Sequence, residues 1–258
     1  MPSLQDLLGV AIDAAYRGGK RTLAYFNSDL TIETKSDRTP VTLADKESEQ
    51  IIRERIAHSF PDHCILGEEQ GEHAGTDARY RWIIDPLDGT KSFIHGVPLY
   101  GTLVGLEIDG VASVGVVHLP ALGEMLYAAK GLGCRCNGRP VQVSNTERME
   151  DATISCTSPL SAIKRSDALE RLASRAKLVR GWGDCYGYYL VATGKIDIML
   201  DPAMNLWDCA PMLPILEESG GHFTDWTGHA TIHGKDAVAT NAALHDQVIE
   251  VLRTEHRK

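Results

Sequence analysis

The stretch Trp82-Ile-Ile-Asp-Pro-Leu-Asp-Gly-Thr-Lys-Ser-Phe93 decides how this chain is read. An apolar run stops at Asp85, and the seven positions from there to Lys91 hold two carboxylates, a proline, a glycine, a threonine and a lysine. Pro-x-Asp-Gly is turn chemistry, so a plain bend is one reading. The other is a binding site. Asp85 ends a buried strand, Pro86 restrains the backbone, and Asp88 follows three residues on, so both carboxylates can face one cation. Oxygen-only ligands suit Mg2+. Gly89 lets the backbone approach a ligand closely, and a helix starting here would aim the amides of Gly89 and Thr90 at a phosphate.

Phosphate chemistry on Mg2+ typically employs two cations about 3.5–4 Å apart, which needs more carboxylates than one loop holds. Glu68 and Glu69 follow the strand-like HCILG and read equally well as a solvated loop. Asp208, three residues after Asn205, also suits the dipole at a helix start. Asp45 lies three residues after Thr42, the spacing of a capping box.

Outward from this loop the chain changes kind. Ser3 and Asp6 resemble a capping box, and Leu4, Leu7, Leu8, Ala11, Ala14 and Ala15 recur at helical spacing, predicting a first helix that ends near Asn27. The polar TIETKSDRTP leads to a second helix from Thr42 to the break at Pro61. HCILG and RYRWII read as strands, and Leu99 to Lys130 as a meander turning at Asp109-Gly110. Beyond the NGRP turn, elements alternate: strand DATISC, a helix from about Ser166 to Lys177, strand KLVR, helix DCYGYYLVATG, strand IDIML, a helix from about Asn205, strand GHFTD and a last helix near Gln247. The expected fold is mixed α/β, with α/β layers sharing a cleft. An N-terminal α+β subdomain would span residues 1–145 and a C-terminal α/β subdomain 146–258.

Composition narrows the function. With 258 residues, 43% hydrophobic and 24% charged, the chain can bury a full core. A net charge of −9 and few aromatics argue against nucleic acid as ligand. Six cysteines without a C-x-x-C pair suggest neither a zinc ribbon nor a redox motif. The ten histidines lack H-E-x-x-H spacing. No apolar run approaches the roughly 20 residues of a membrane span, and the opening MPSLQDLLGV does not resemble a signal peptide, so a cytoplasmic protein without membrane contact is expected.

The ordered set Val41-Thr-x-Ala-Asp45, Gly67-Glu-Glu69, Asp85-Pro-Leu-Asp-Gly-Thr90 and Trp207-Asp-x-Ala-Pro211, with Glu217-Glu-Ser-Gly-Gly221, resembles the inositol monophosphatase family of Mg2+-dependent, lithium-sensitive phosphatases. The resemblance covers almost the whole chain and implies the layered αβαβα sandwich shared with fructose-1,6-bisphosphatase. It implies that Glu68, Asp85 and the carbonyl of Leu87 bind one Mg2+, and Asp85, Asp88 and Asp208 another. A third, looser ion near Glu68 would help activate water. Thr90, hydrogen-bonded to Asp45, would orient that water, and the amides of Gly89 and Thr90 would hold the phosphate. Direct displacement by water, without a phosphoenzyme, and a homodimer are the family expectations.

The inositol branch commonly reads D-G-T-T-N-F, whereas this chain has Asp88-Gly-Thr-Lys-Ser-Phe93, similar to the histidinol-phosphate phosphatase branch of histidine biosynthesis. Arg180 to Gly194 is similar to that branch too. Histidinol phosphate carries an ammonium and an imidazole, so its pocket calls for acids beyond the metal ligands. Asp184 and Asp201 are the candidates, beside Asp88 and Asp208. Asp184 reads equally as a helix cap. Arg180 suits substrate phosphate, a subunit contact or a surface ion pair, and Lys91 a phosphate contact or solvent. Trp182, Tyr186, Tyr188 and Tyr189 read as core or interface before a stacking platform. The rival readings are a phosphatase for inositol monophosphate, fructose bisphosphate or 3′-phosphoadenosine 5′-phosphate, and a regulatory binding protein on the same fold.

Overall fold

In the computed structural model the described residues are 1–28, 32–34 and 40–254. Helix α1 (Leu4–Leu23) starts at the Ser3–Asp6 capping box and buries Leu7, Val10, Ala11, Ala14 and Ala15 along one face. It stops short of the expected Asn27, which takes a left-handed φ of 60° after a turn. Most of the polar stretch from 31 to 40 lies outside the described residues. A short antiparallel pair, β1 (Glu33–Thr34) and β2 (Pro40–Val41), precedes α2 (Leu43–Ser59), which Thr42 caps.

Next come β3 (His63–Gly67), β4 (Gly71–His73), β5 (Asp77–Asp88) and the short helix α3 (Thr90–Ile94). The meander follows as β6 (Gly101–Ile108), β7 (Val111–Leu119), β8 (Glu124–Ala129), β9 (Cys134–Cys136) and β10 (Arg139–Pro140). Asp109 and Gly110 both have positive φ, 51° and 76°, as a two-residue hairpin matched to sheet twist requires.

The second half holds β11 (Thr153–Cys156), α4 (Pro159–Arg165), α5 (Ala168–Ala173), β12 (Leu178–Arg180), α6 (Asp184–Ala192), β13 (Ile198–Asp201), α7 (Leu206–Cys209), α8 (Met212–Glu218), β14 (Gly221–Thr224), β15 (Ala237–Asn241) and α9 (His245–Arg253). Three sequence expectations change here. The helix expected at 166–177 is shorter, α5, and a separate helix that went unread, α4, precedes it, with Pro159 in its first turn. The helix from Asn205 breaks at Pro211, whose ring cannot continue it. Strand β15 went unread, since Ala-Val-Ala-Thr-Asn shows no alternation, yet it lies between β13 and β14 with all five residues buried.

Two sheets carry the fold, eight strands in the order β10-β9-β8-β7-β6-β5-β3-β4 and five in the order β12-β11-β13-β15-β14. Period-two alternation sorts their side chains into layers. Trp82 and Ile84 of β5 pack with α1 and α2, while Ile83 between them joins α6 and α8. In β13, Met199 faces that same middle layer and Ile198 and Leu200 face α4, α5 and α9. The result is the αβαβα sandwich. Full burial of side chains such as Ile83 or Leu200 stabilises it by about 1.5–3 kcal/mol each.

One contact between the sheets matters for the site. Gly105 of β6 and Gly115 of β7 are direct cross-strand partners and leave a patch without side chains. The Ala210–Pro211 corner rests on it. A Cβ on Gly115 would sit 2.0 Å from the Pro211 carbonyl oxygen, and one on Gly105 would sit 2.7 Å from the Ala210 Cβ. This seat brings Asp208, two residues before Ala210, down onto the end of β5. Gly115→Ala is therefore expected to lower unfolding stability by about 1–3 kcal/mol through overpacking. Urea denaturation checks this, and an unchanged midpoint would contradict the seat.

Candidate active site

On a regular strand Asp85 and Asp88, three apart, would point to opposite faces. The register of β5 against β6 shifts between them, Asp85 pairing with Leu103 and Asp88 with Gly101, so one extra residue is accommodated. The bulge turns both carboxylates toward Asp208. Their oxygens and that of Asp208 lie within 4.8 Å of one another. The bulge itself is fastened at the Pro86 carbonyl, which accepts from Thr102 Oγ1 at 2.9 Å and from Ser48 Oγ at 3.2 Å.

Backbone amides meet each acid. Leu87 N–H donates to Asp85 Oδ1 at 2.9 Å, Cys185 N–H at the start of α6 donates to Asp88 Oδ2, and Asn205 N–H donates to Asp208 Oδ2 at 2.8 Å. No lysine or arginine is paired with these three acids among the described residues. Burial first, and then the charges of Glu68, Asp88 and Asp208, push Asp85 well above the usual carboxylate range. Burial, with Asp184 and Asp208, does the same to Asp88. Asp208 rises to about 6, mainly by burial. An all-oxygen, crowded and uncompensated donor set of this kind fits a hard divalent cation such as Mg2+.

The acids border two cavities. The outer one, of about 160 Å3, is lined by Glu68, Asp85, Leu87, Asp88, Asp208 and Gly89, together with Thr90, Lys91 and Asp184. Glu68 therefore joins the group at its rim, outside the tight set of three. The inner one, of about 70 Å3, shares Asp88, Asp184 and Asp208 with it and adds Asp201, Thr157 and Tyr188. Gly89 has a φ of 82°, and a Cβ there would stand 3.1 Å from the Leu99 carbonyl and 3.2 Å from Asp184 Oδ2, so only glycine suits the close approach before α3.

Asp201, at the end of β13, is 4% exposed and accepts from Tyr188 O–H at 2.9 Å. Burial lifts it to about 8, against hydrogen bonds from Thr157 and Tyr188 that favour the charged form. Asp184 has a positive φ of 53° at the first position of α6, and its N–H donates to Thr157 Oγ1 at 2.8 Å. Its side chain makes no cap; the capping position is Gly183, and the carboxylate faces Ser92 and Lys91 instead.

One expected contact is absent. Thr90 Oγ1 donates to the Leu87 carbonyl at 3.1 Å, and no Thr90–Asp45 hydrogen bond forms. Asp45 Oδ2 is engaged by the N–H and O–H of Thr42, the capping box that was its alternative reading. Arg180 is exposed, donates to the carbonyl of Val179 and lines neither cavity. Thr157 was missed altogether. It stands just past β11, whose neighbours β12 and β13 run parallel to it, and the carboxyl ends of parallel strands are where α/β sites gather.

The inositol monophosphatase family model matches residues 3–257, and the chain belongs to that family. It is 43% identical to a histidinol-phosphatase of Chlorobaculum parvum over 97% of this chain and 98% of that one, and 40% identical to a histidinol-phosphatase of Mycobacterium tuberculosis over 95% and 96%. The extragenic suppressor protein suhB of Bartonella henselae superposes with a TM-score of 0.90 at 28% identity, covering 96% and 99% of the two chains. The protein is a phosphoric monoester hydrolase of a metal-dependent family.

The acids predict a pH effect. A carboxylate whose folded pKa is raised stabilises the metal-free fold below its ordinary pKa near 3.8, and that stability is lost as pH climbs through about 6 for Asp208 and about 8 for Asp201. A divalent cation bound by the cluster would displace the protons held there, so Mg2+ binding is expected to tighten as pH rises through about 6, with proton release. Calorimetry in buffers of different ionisation enthalpy reads this directly, and affinity independent of pH would contradict it.

Proposed function

We propose that the protein hydrolyses L-histidinol phosphate to L-histidinol and phosphate with Mg2+ as cofactor, as a step of histidine biosynthesis. The observation that carries the reading is the inner cavity, lined by Asp88, Asp184, Asp201 and Asp208 with no basic side chain among the described residues. Such a recess favours a cation over a neutral polyol. With Asp88 and Asp208 assigned to metal, Asp184 and Asp201 remain for the ammonium and imidazole of the substrate. The names of the two relatives at 43% and 40% identity support the choice.

Glu68, Asp85, Asp88, Asp208 and the Leu87 carbonyl would hold two or three Mg2+ ions. When bound, Mg2+ offsets charge on the attacking and leaving oxygens and eases deprotonation of water. Glu68 and the Thr90 hydroxyl would orient that water, and the amides of Gly89 and Thr90 would hold phosphate oxygens. Asp45 serves through the Thr42 capping box, which fixes the start of α2 against the site. Water attacks phosphorus directly. The two-part subdomain division, a homodimer and a cytoplasmic location complete the proposal, with light scattering as the check on the dimer.

Steady-state turnover with Mg2+ is expected to favour histidinol phosphate strongly over inositol 1-phosphate. Above pH 8, where Asp201 is ionised, Asp201→Asn should lower kcat/KM for histidinol phosphate by roughly 10–100-fold, the value of one charged hydrogen bond, and affect inositol 1-phosphate much less. A preference for the inositol ester, or an equal loss on both, would overturn the assignment.

A further inference from the structure

Glu68 sits on the short connection between β3 and β4, and its side chain must be held toward acids of the same charge. What holds it comes from α2. Glu49 is fully buried, and its carboxylate accepts from the Glu69 N–H at 2.7 Å and the Gln70 N–H at 3.0 Å. Arg53, one helical turn on, donates to Glu49 Oε1 at 2.7 Å and reaches the Gly71 carbonyl with its other arm. Glu68 N–H itself donates to the Ile84 carbonyl at 3.1 Å. Every residue from 68 to 71 is thus tied through its backbone, three of the four by one i,i+4 ion pair.

The fit is close. A Cβ on Gly67 would lie 2.2 Å from Glu49 Oε1, so the chain can pass over this carboxylate only as glycine. Arg53 balances the charge of Glu49, so the fastening adds no net negative charge to an already crowded region. The preceding residue of α2, Ser48, donates to the Pro86 carbonyl behind the Asp85–Asp88 bulge. One turn of helix therefore grips both acidic segments of the N-terminal half.

We propose that Glu49, paired with Arg53, is a positioning residue for Glu68, setting its approach to the metal site through the backbone of residues 69–71. The inference rests on the reading of Glu68 as a metal ligand. A side chain supporting a ligand from behind commonly changes metal affinity by about 10–100-fold. Glu49→Gln keeps the shape but puts a donor against backbone N–H groups or Arg53.

Mg2+ titration by calorimetry on substrate-free protein provides the test, with circular dichroism confirming each fold. Glu49→Gln is expected to weaken Mg2+ binding at least tenfold, at the low end of that range. Glu68→Gln should weaken it too, and the double variant should bind no worse than Glu68→Gln alone, because the positioning effect acts only through Glu68. Binding by Glu49→Gln within about twofold of wild type, or additive losses in the double variant, would overturn the proposal. If Glu68→Gln binds Mg2+ normally, the ligand reading itself fails and takes this inference with it. Should Glu49→Gln not fold, Arg53→Gln, which keeps the carboxylate and frees the Gly71 carbonyl, is expected to weaken Mg2+ several-fold; an unchanged affinity overturns the role of the pair.

Discussion

Mutual repulsion among buried carboxylates is the constraint that the rest of this structure answers. Charges within 4.8 Å of one another cost roughly 3–4 kcal/mol per pair at an effective dielectric of 20. Asp85, Asp88 and Asp208 bear that cost with backbone amides rather than basic side chains: Leu87 N–H in the bulge, Cys185 N–H at the start of α6 and Asn205 N–H before α7. Amides orient an acid without neutralising it. A lysine in the same place would form an ion pair and leave little for a cation to bind.

The fold brings these groups together from both halves. The N-terminal half supplies Asp85, Asp88 and Glu68 from the carboxyl ends of β5 and β3, while the C-terminal half supplies Asp184, Asp201 and Asp208 from α6, β13 and α7. Contact between the halves is close because Gly105 and Gly115 remove side chains where the Ala210–Pro211 corner lands. Backbone packed on backbone leaves little room for adjustment, which suits a site whose parts must meet within a few ångströms. Of the acids, Glu68 and Asp85 line only the outer cavity, Asp88, Asp184 and Asp208 line both, and Asp201 lines only the inner one.

Much of this was legible in the sequence, for identifiable reasons. Capping boxes at Ser3 and Thr42, the Asp109-Gly110 hairpin and the apolar run of β5 are local signals, and each helix start, turn and strand formed where its residues indicated. The family resemblance of four ordered acidic motifs anticipated the layers. What escaped depends on contacts distant in the chain. Ala237–Asn241 becomes a strand only because β13 and β14 flank it, the bulge that aligns Asp85 with Asp88 is a property of pairing with β6, and Thr157 acquires meaning only when Asp184 and Asp201 arrive beside it. The Thr90–Asp45 contact failed differently. It was carried over from a resemblance, and local geometry gave Thr90 the nearer Leu87 carbonyl.

The gathering of acids around divalent metal is tested most directly by anomalous diffraction from crystals grown with Mn2+, which accepts the same oxygen donors as Mg2+. Peaks are expected among Asp85, Asp88 and Asp208, with Glu68 at the edge of the cluster. A protein that turns over phosphate esters in the same Mn2+ solution yet shows no anomalous density between these side chains would contradict a metal-centred site.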